Sequence, residues 1–318
     1  MIIKRSVFLT NFDKNTHFRR KLGILRCDTM KIITLTTDLG LTDHYLASLK
    51  GQFYSAIENV NLIDVSHNVQ PFNIAQAAFY VNNIMNDFPA GTVHFIGVDS
   101  TPEIKIGKPD RNMYPAIMLL NGQYFVGCDN GIFSLLSNYE DATSVIRIDS
   151  FSDASIDLNQ ASKNIYIPAI KKLIQGEKLE NLGEEITSVR KAFTVQATIE
   201  KNLIKGSVIH VDKYGNVIIN ITKNLFEQIG KENPFTIYFK NSNYFIEQIS
   251  TSYSDVPTGE KLALFNSSGY LEIAINKGTV GNGGGASGLL GLSVKDMVRM
   301  EFHPQGSKES IHALFERE

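Results

Sequence analysis

The sequence predicts an α/β unit with a mainly parallel sheet, followed by an all-β unit. Three observations predict it. From Ile32 to Val98, β-branched apolar runs alternate with amphipathic stretches in the order strand, helix, strand, helix, strand, the mark of βαβ units. Near Phe193 the pattern changes to short strands parted by turn residues, as in a small barrel or sandwich. The 318 residues, 43% apolar and 20% charged, are too many for one small core and comfortable for two.

The elements follow in order. Ile32–Thr37 is apolar and β-branched and ends in Asp38-Leu39-Gly40, which reads as a buried strand. Asp43 is placed to cap a helix from Asp43 to Asn59 with apolar residues at Leu46, Leu49, Phe53 and Ile57. Asn61–Val65 is a second strand, Ile74–Met85 a second helix capped by Asn73, and Thr92–Val98 a third strand. After a loop from Ser100 to Met113, Asn121-Gly122 between Ala116–Leu120 and Tyr124–Val126 is a type I′ hairpin signal. Ile132–Leu136 and Ile165–Ile174 read as helices, the second with Pro168 in its first turn. Eight strands are expected beyond the change: Phe193–Ile199, Gly206–Val211, Asn216–Ile221, Phe235–Phe239, Tyr244–Ile249, Lys261–Phe265, Tyr270–Ile275 and Met297–Glu301. The expected division is an extension over 1–29, an α/β domain over 30–192, a β domain over 193–304 and a tail over 305–318. For residues 1–29 the other reading is a short ordered arm on the surface. Asn11 to Asn15 cut the opening apolar run too short for a signal peptide.

Composition excludes several classes. A formal charge of -2 without a basic stripe argues against nucleic acid as partner. No apolar run is long enough to span a bilayer. Cys27 and Cys128 cannot make a disulfide framework or, alone, a zinc site. They suit a reducing cytoplasm, the expected location, and nearly as well a cysteine-poor exported chain.

Asp38 is the first candidate for chemistry. A carboxylate at the C-terminal end of the first parallel strand stands where open α/β sheets bind ligands, and its two oxygens suit a ribose diol. A turn aspartate capping local N–H groups is the other reading. Asp99 ends the third strand at the same rim, in the turn-forming Asp-Ser-Thr-Pro. Asp38, Asp43, His44 and His67 are metal-ligand types, yet no H-x-H or H-E-x-x-H spacing occurs, and no metal is expected. Asp212-Lys213-Tyr214-Gly215-Asn216 and Asn266-Ser267-Ser268-Gly269 interrupt strand patterns and read as hairpin turns or site loops. The glycine-rich run Gly281–Gly288 lacks the G-K-[ST] ending of a P-loop.

Taken together, the segments TLTTDLGLTDHYLASLKG, IDVSHNVQPFNIAQAAFYV, FPAGTVHFIGVD, DNGIFSLL, GSVIHVDKYGNVIINIT and FNSSGYLEIAINKG, from Ile33 to Leu292, resemble one family in order and spacing. It is the S-adenosylmethionine (SAM) hydroxide adenosyltransferases, or SAM hydrolases, related to SAM-dependent fluorinases and chlorinases. The resemblance implies a three-layer α/β domain, a C-terminal β-barrel and a homotrimer with SAM held between neighbouring subunits. It implies attack at the ribose 5′ carbon with loss of methionine, without metal or cofactor. Asp38 would then hold the ribose hydroxyls and Phe72 would flank the sugar and base. Asp212 would pair with the methionine ammonium, Tyr214 and Asn216 would lie near adenine, and Ser267 and Ser268 would bind the methionine carboxylate. Asn276, Gly278 and Thr279 fall where backbone groups meet adenine.

The departures lie at the chemistry. The family's Asp-Pro-Gly-Val-Gly-x-x-Arg block reads here from Asp99 to Ile106, so Asp99 stands as the catalytic residue while Ile106 replaces the arginine. Lys105, Lys108 or Arg111 could substitute only in a rearranged loop. Ala161 falls where the family has its histidine, beside Ser162, with Lys163 and Asn164 in place of the arginine and aspartate that follow. Three readings are carried forward: a SAM hydrolase with an altered water-activating set, a SAM- or nucleoside-binding protein without turnover, and a halogenase. Asp99 argues against the third, because a carboxylate repels a halide.

Overall fold

A computed structural model describes residues 31–103, 112–137, 144–149, 157–230, 233–281 and 284–304. The extension over 1–29, the tail over 305–318, and Lys105, Ile106, Lys108 and Arg111 lie outside the described residues.

The N-terminal half is built on a seven-stranded sheet of order β2-β1-β3-β5-β4-β6-β7. Its strands are β1 (Lys31–Thr37), β2 (Val60–Ser66), β3 (Val93–Gly97), β4 (Pro115–Leu120), β5 (Gln123–Cys128), β6 (Ser144–Ile148) and β7 (Gly183–Glu185). The pairings β1–β2, β1–β3 and β3–β5 are parallel; the remaining strands add on antiparallel. Helices α1 (Tyr45–Ala56) and α4 (Ile167–Ile174) pack on one another, and so do α2 (Ile74–Ile84) and α3 (Ile132–Leu136). The period-two alternation of buried strands feeds both layers. Ile33, Leu35, Phe95 and Val126 join Leu49, Phe53 and Ile170 in one core, while Ile96, Met118 and Phe125 join Ala77, Val81 and Phe133 in the other. The domain therefore has three layers.

The C-terminal half is an antiparallel sheet of order β12-β11-β15-β9-β10-β14-β13, with β8 added beside β9. Its strands are β8 (Thr198–Glu200), β9 (Leu203–Val211), β10 (Val217–Thr222), β11 (Phe235–Phe239), β12 (Asn241–Ile246), β13 (Lys261–Phe265), β14 (Tyr270–Ile275) and β15 (Met297–Phe302). The edge strands β12 and β13 touch, and Ile249 bridges Ala263, so the sheet nearly closes into a barrel around Ile219, Ile237, Phe239, Ile273 and Met300.

Several expectations change in detail. Asp43 does not cap α1: His44 holds that place, and no side chain caps the helix. The helix ends at Ala56, short of Asn59, whose left-handed backbone (φ 55°) turns the chain into β2. Asn73 caps α2 as read, accepting from Gln76 N. Asn121 and Gly122 both have positive φ (52° and 74°), as a type I′ turn requires. Strands β6 and β7 were not anticipated, nor were α5 (Lys223–Gly230) and α6 (Ala286–Leu290). The strand expected at Phe193–Ile199 is paired only from Thr198; the preceding residues form an interdomain linker. The helix expected from Ile165 begins as a π-turn over Ser162–Tyr166 and becomes α-helical at Ile167, with Pro168 in its first turn.

Candidate active site

The chain leaves β1 for β2 on one side and returns past it to β3 on the other, so the strand order reverses between β1 and β3. Thr37 and Gly97 are partners in that parallel pair. Asp38 and Asp99 therefore leave the sheet at the same edge, on either flank of the crevice where open α/β sheets bind ligands. Asp38 Oδ2 accepts from Phe72 N at 3.0 Å. Phe72 (φ 64°) and Asp99 (φ 46°) both have left-handed backbones, a conformation costly for such residues and concentrated at functional sites.

The backbone at Asp99 is held from below. Asn130 Nδ2 donates to Val98 O at 3.1 Å and to Asp99 O at 2.9 Å. The buried Tyr166, brought in by the π-turn, donates its hydroxyl to Ser100 O at 2.7 Å. Burial pushes the Asp99 carboxyl above the usual carboxylate range, and Asp38 and Glu103 push the same way, while Arg190 opposes them. Burial also drives the Cys128 thiol up to about 12, which makes it a packing group and not a nucleophile.

The loop after β1 rests on His67. Thr37 Oγ1 lies 2.8 Å from His67 Nδ1, Asp64 Oδ1 lies 3.1 Å from Nε2, and Gly40 N donates to His67 O at 2.7 Å. The His44 ring lies tilted against the Tyr45 ring, with centroids 4.4 Å apart. The four metal-ligand types near Asp38 are thus dispersed, and among the described residues no group of three or more is gathered. Ala161 is buried in the α1–α4 core and brings no polar group, and Asn164 Nδ2 donates to Asp157 O.

A second group lies on the barrel. Asp212 Oδ1 accepts from Tyr214 N and Asn216 N, each at 2.8 Å, and Oδ2 accepts from Asn216 Nδ2 at 3.1 Å. These bonds order the loop between β9 and β10 and leave Tyr214 outside, 60% exposed. Asp212 and Ser267 line one cavity of about 570 Å³ together with Phe79 of α2, His210, Tyr253 and Glu272. Ser268 N donates to Asn266 Oδ1 in the neighbouring turn. Asn276 is engaged elsewhere: its side chain donates to Val256 O at 2.7 Å, and its backbone pairs with Gly259 and Glu260. Gly278 N donates to Ile275 O, and Thr279 follows it half-buried.

Sequence reasoning missed Glu272, whose signal was a lone acid inside the apolar run YLEIAI. The side chain is buried, accepts from Tyr253 Oη at 2.6 Å and Asn266 Nδ2 at 3.3 Å, and burial raises its proton affinity.

The chain matches the SAM hydroxide adenosyltransferase N-terminal domain over residues 33–183 and the C-terminal domain of the same name over residues 206–299. It belongs to the SAM hydroxide adenosyltransferase family. The two matches thus cover both the Asp38 rim and the Asp212 cavity. The chain is 28% identical over 276 residues to an (R)-S-adenosyl-L-methionine hydrolase of Methanocaldococcus jannaschii, covering 80% of this chain and 92% of that protein. A fluorinase of Actinopolyspora mzabensis is 25% identical over 271 residues, covering 77% and 90%. A conserved Thermotoga maritima protein of known structure superposes with a TM-score of 0.72 at 26% identity, covering 85% of this chain and 99% of its own. Among the described residues no helix is long and apolar enough to cross a membrane.

Proposed function

We propose that this family member hydrolyses SAM to adenosine and methionine. The observation that carries the reading is the pair of carboxylates at the switch point, Asp38 held by the Phe72 amide and Asp99 with raised proton affinity. Asp38 binds the ribose diol. Water adds its oxygen to the 5′ carbon, the C5′–S bond breaks with its electron pair passing to sulfur, and one water proton passes through Asp99 to solvent. Sulfur leaves as a neutral thioether, so no acid, metal or cofactor is required. A carboxylate of raised proton affinity is a suitable base for this water. Phe72, Tyr214, Asn216 and the Asn276–Thr279 turn surround the nucleoside. Asp212 meets the methionine ammonium, and Ser267 and Ser268 its carboxylate. The naming of several relatives as SAM hydrolases supports this reading.

The assembly we propose is a homotrimer in the cytoplasm, where SAM is available. The rim around Asp38 and the cavity around Asp212 are ordered by separate hydrogen-bond networks, and Phe72 and Val280 are each 72% exposed. A neighbouring copy that joined the two half-sites would cover these side chains. Sedimentation equilibrium is expected to give three times the chain mass; a monomer would remove the shared-site arrangement.

The test of function is incubation with SAM in ¹⁸O-water. Adenosine carrying the label at the 5′ oxygen, with free methionine, is the expected outcome. Tight binding without product would overturn the reading in favour of a SAM-binding protein without turnover, which the departures at Ala161 and Ile106 favour. A 5′-halogenated nucleoside in chloride or fluoride would make it a halogenase.

A further inference from the structure

Glu272 is an acid on a strand whose packing asks for none. Its cross-strand partners are Ile218 on β10 and Leu264 on β13, and all three residues line the cavity that also holds Asp212 and Ser267. Leu271 and Ile273 on either side of it belong to the barrel core, so the period-two alternation of β14 turns Glu272 the other way, toward the cavity. Glu272 is only 4% exposed, and a carboxylate so desolvated is costly unless it is hydrogen-bonded. It has one donor for each oxygen. Oε1 accepts from Tyr253 Oη at 2.6 Å, and Oε2 accepts from Asn266 Nδ2 at 3.3 Å.

The two donors come from different loops beside the cavity. Tyr253 opens a short turn that is ordered from within, since Asp255 Oδ2 accepts from Thr251 N at 2.8 Å and from Ser252 N at 3.1 Å. Asn266 opens the turn joining β13 to β14, and its side chain braces that turn: Oδ1 accepts from Ser268 N and Tyr270 N, each at 3.1 Å. Backbone bonds close the same turn, from Gly269 N to Asn266 O at 2.8 Å and from Asn266 N to Tyr270 O at 3.0 Å. With Oδ1 committed to two amides, the Asn266 side chain directs its Nδ2 to Glu272. We infer that Glu272 is a positioning residue for recognition of the methionine carboxylate: through Asn266 it fixes the turn that presents Ser267 to the cavity, with Ser268 beside it. The described residues lining the cavity include no Lys or Arg, so a carboxylate there depends on well-aimed neutral donors. The inference rests on the hydrolase reading above, which puts the methionine carboxylate at these serines, and deepens it by naming what holds them.

The test compares wild type with Glu272→Met, Glu272→Gln and Asn266→Ala in the full chain, by calorimetry with three ligands. These are SAM, its decarboxylated analogue, which keeps the ammonium, and 5′-methylthioadenosine, which has neither group. Met is unbranched and flexible and suits the apolar neighbours, but it leaves Asn266 Nδ2 without its acceptor. In Glu272→Met the affinity for SAM falls roughly tenfold, the worth of one hydrogen bond, while the other two ligands bind as to wild type. Glu272→Gln restores SAM affinity, because its carbonyl accepts from Asn266 while its amide faces the Tyr253 oxygen. Adding Glu272→Met to Asn266→Ala costs no further affinity, as expected of one pathway. Unchanged SAM affinity in Glu272→Met overturns the inference, as do equal losses for SAM and its decarboxylated analogue, which mark an effect on the ammonium or on the fold. Hydrogen exchange at the Ser268 and Tyr270 amides, followed by NMR without ligand, quickens in Glu272→Met; unchanged exchange also overturns the inference. If wild type binds SAM no more tightly than the decarboxylated analogue, the placement of the methionine carboxylate fails by itself, and the exchange rates still decide whether Glu272 holds the turn.

Discussion

Asp38 accepts the Phe72 amide through Oδ2, and that one bond ties the end of β1 to the entry of α2. The carboxylate therefore has a structural partner as well as its proposed ligand, the ribose diol. Replacing Asp38 with Ala removes the acceptors, and SAM affinity measured by calorimetry is expected to fall by about 100-fold, since a hydrogen bond to a charged group contributes roughly 1.5–3 kcal/mol. Asp38→Asn keeps an acceptor for Phe72 N and should fold as wild type while still binding weakly. Undiminished affinity in the Ala variant would move the ribose elsewhere. Asp99 differs from Asp38 in its setting: it is partly desolvated, it has a left-handed backbone, and two acids face it. Neither the strain nor the acids could be seen in the string Asp-Ser-Thr-Pro, which read equally well as a plain turn.

Among the elements, the turn joining β5 to α3 does the most to shape the rim. Gly131 has φ 111° there and faces Ala192 with no room for a side chain. Gly131→Ala is expected to cost about 1–3 kcal/mol from backbone strain, with crowding against Ala192 in addition. Urea unfolding checks this, and a midpoint equal to wild type would mean that the linker is not pressed against the turn. The π-turn over Ser162–Tyr166 has a comparable task, since π-turns commonly mark functional places and this one brings Tyr166 to Ser100 O. Helical periodicity was legible around it, as the expected helix from Ile165 shows, but one extra residue in a turn leaves no mark on an apolar pattern. The short strands β6 and β7 were missed because pairing partners far apart in sequence create them, β6 between β4 and β7, and β7 at the sheet edge.

Over the whole molecule, pH stability has a source remote from the site. His94 lies fully buried in β3, with Thr34 Oγ1 at 2.8 Å from Nδ1 and Gln123 Oε1 at 3.1 Å from Nε2. Burial lowers its pKa from 6.5 to about 4. The unfolded chain then binds a proton that the folded chain does not between these values, so stability is complete above about pH 6.5 and declines as pH falls toward 4. The loss attributable to this ring is about 3 kcal/mol at the bottom of that window. Thermal melting from pH 7 to 4 is expected to show the decline in wild type and a shallower one in His94→Gln. Equal slopes would assign the acid sensitivity to other groups.

The sequence by itself determined the succession of strands and helices from Lys31 to Gly97, the hairpin at Asn121-Gly122, the change to short strands near Phe193 and the family. Each of these rests on local chemistry, on apolar period, turn residues or motif order, which a linear string carries intact. The three-layer domain was expected only through the resemblance, which also chose the barrel over the sandwich that the strand pattern left open. Only the tertiary structure decided that Asp212 and Ser267 share a cavity with the buried Glu272, and that the Asp99 carboxyl, already expected at the rim of Asp38, is desolvated there on a left-handed backbone. Those facts depend on strand order, desolvation and charge proximity between segments distant in the chain, and such quantities exist only once the chain has folded.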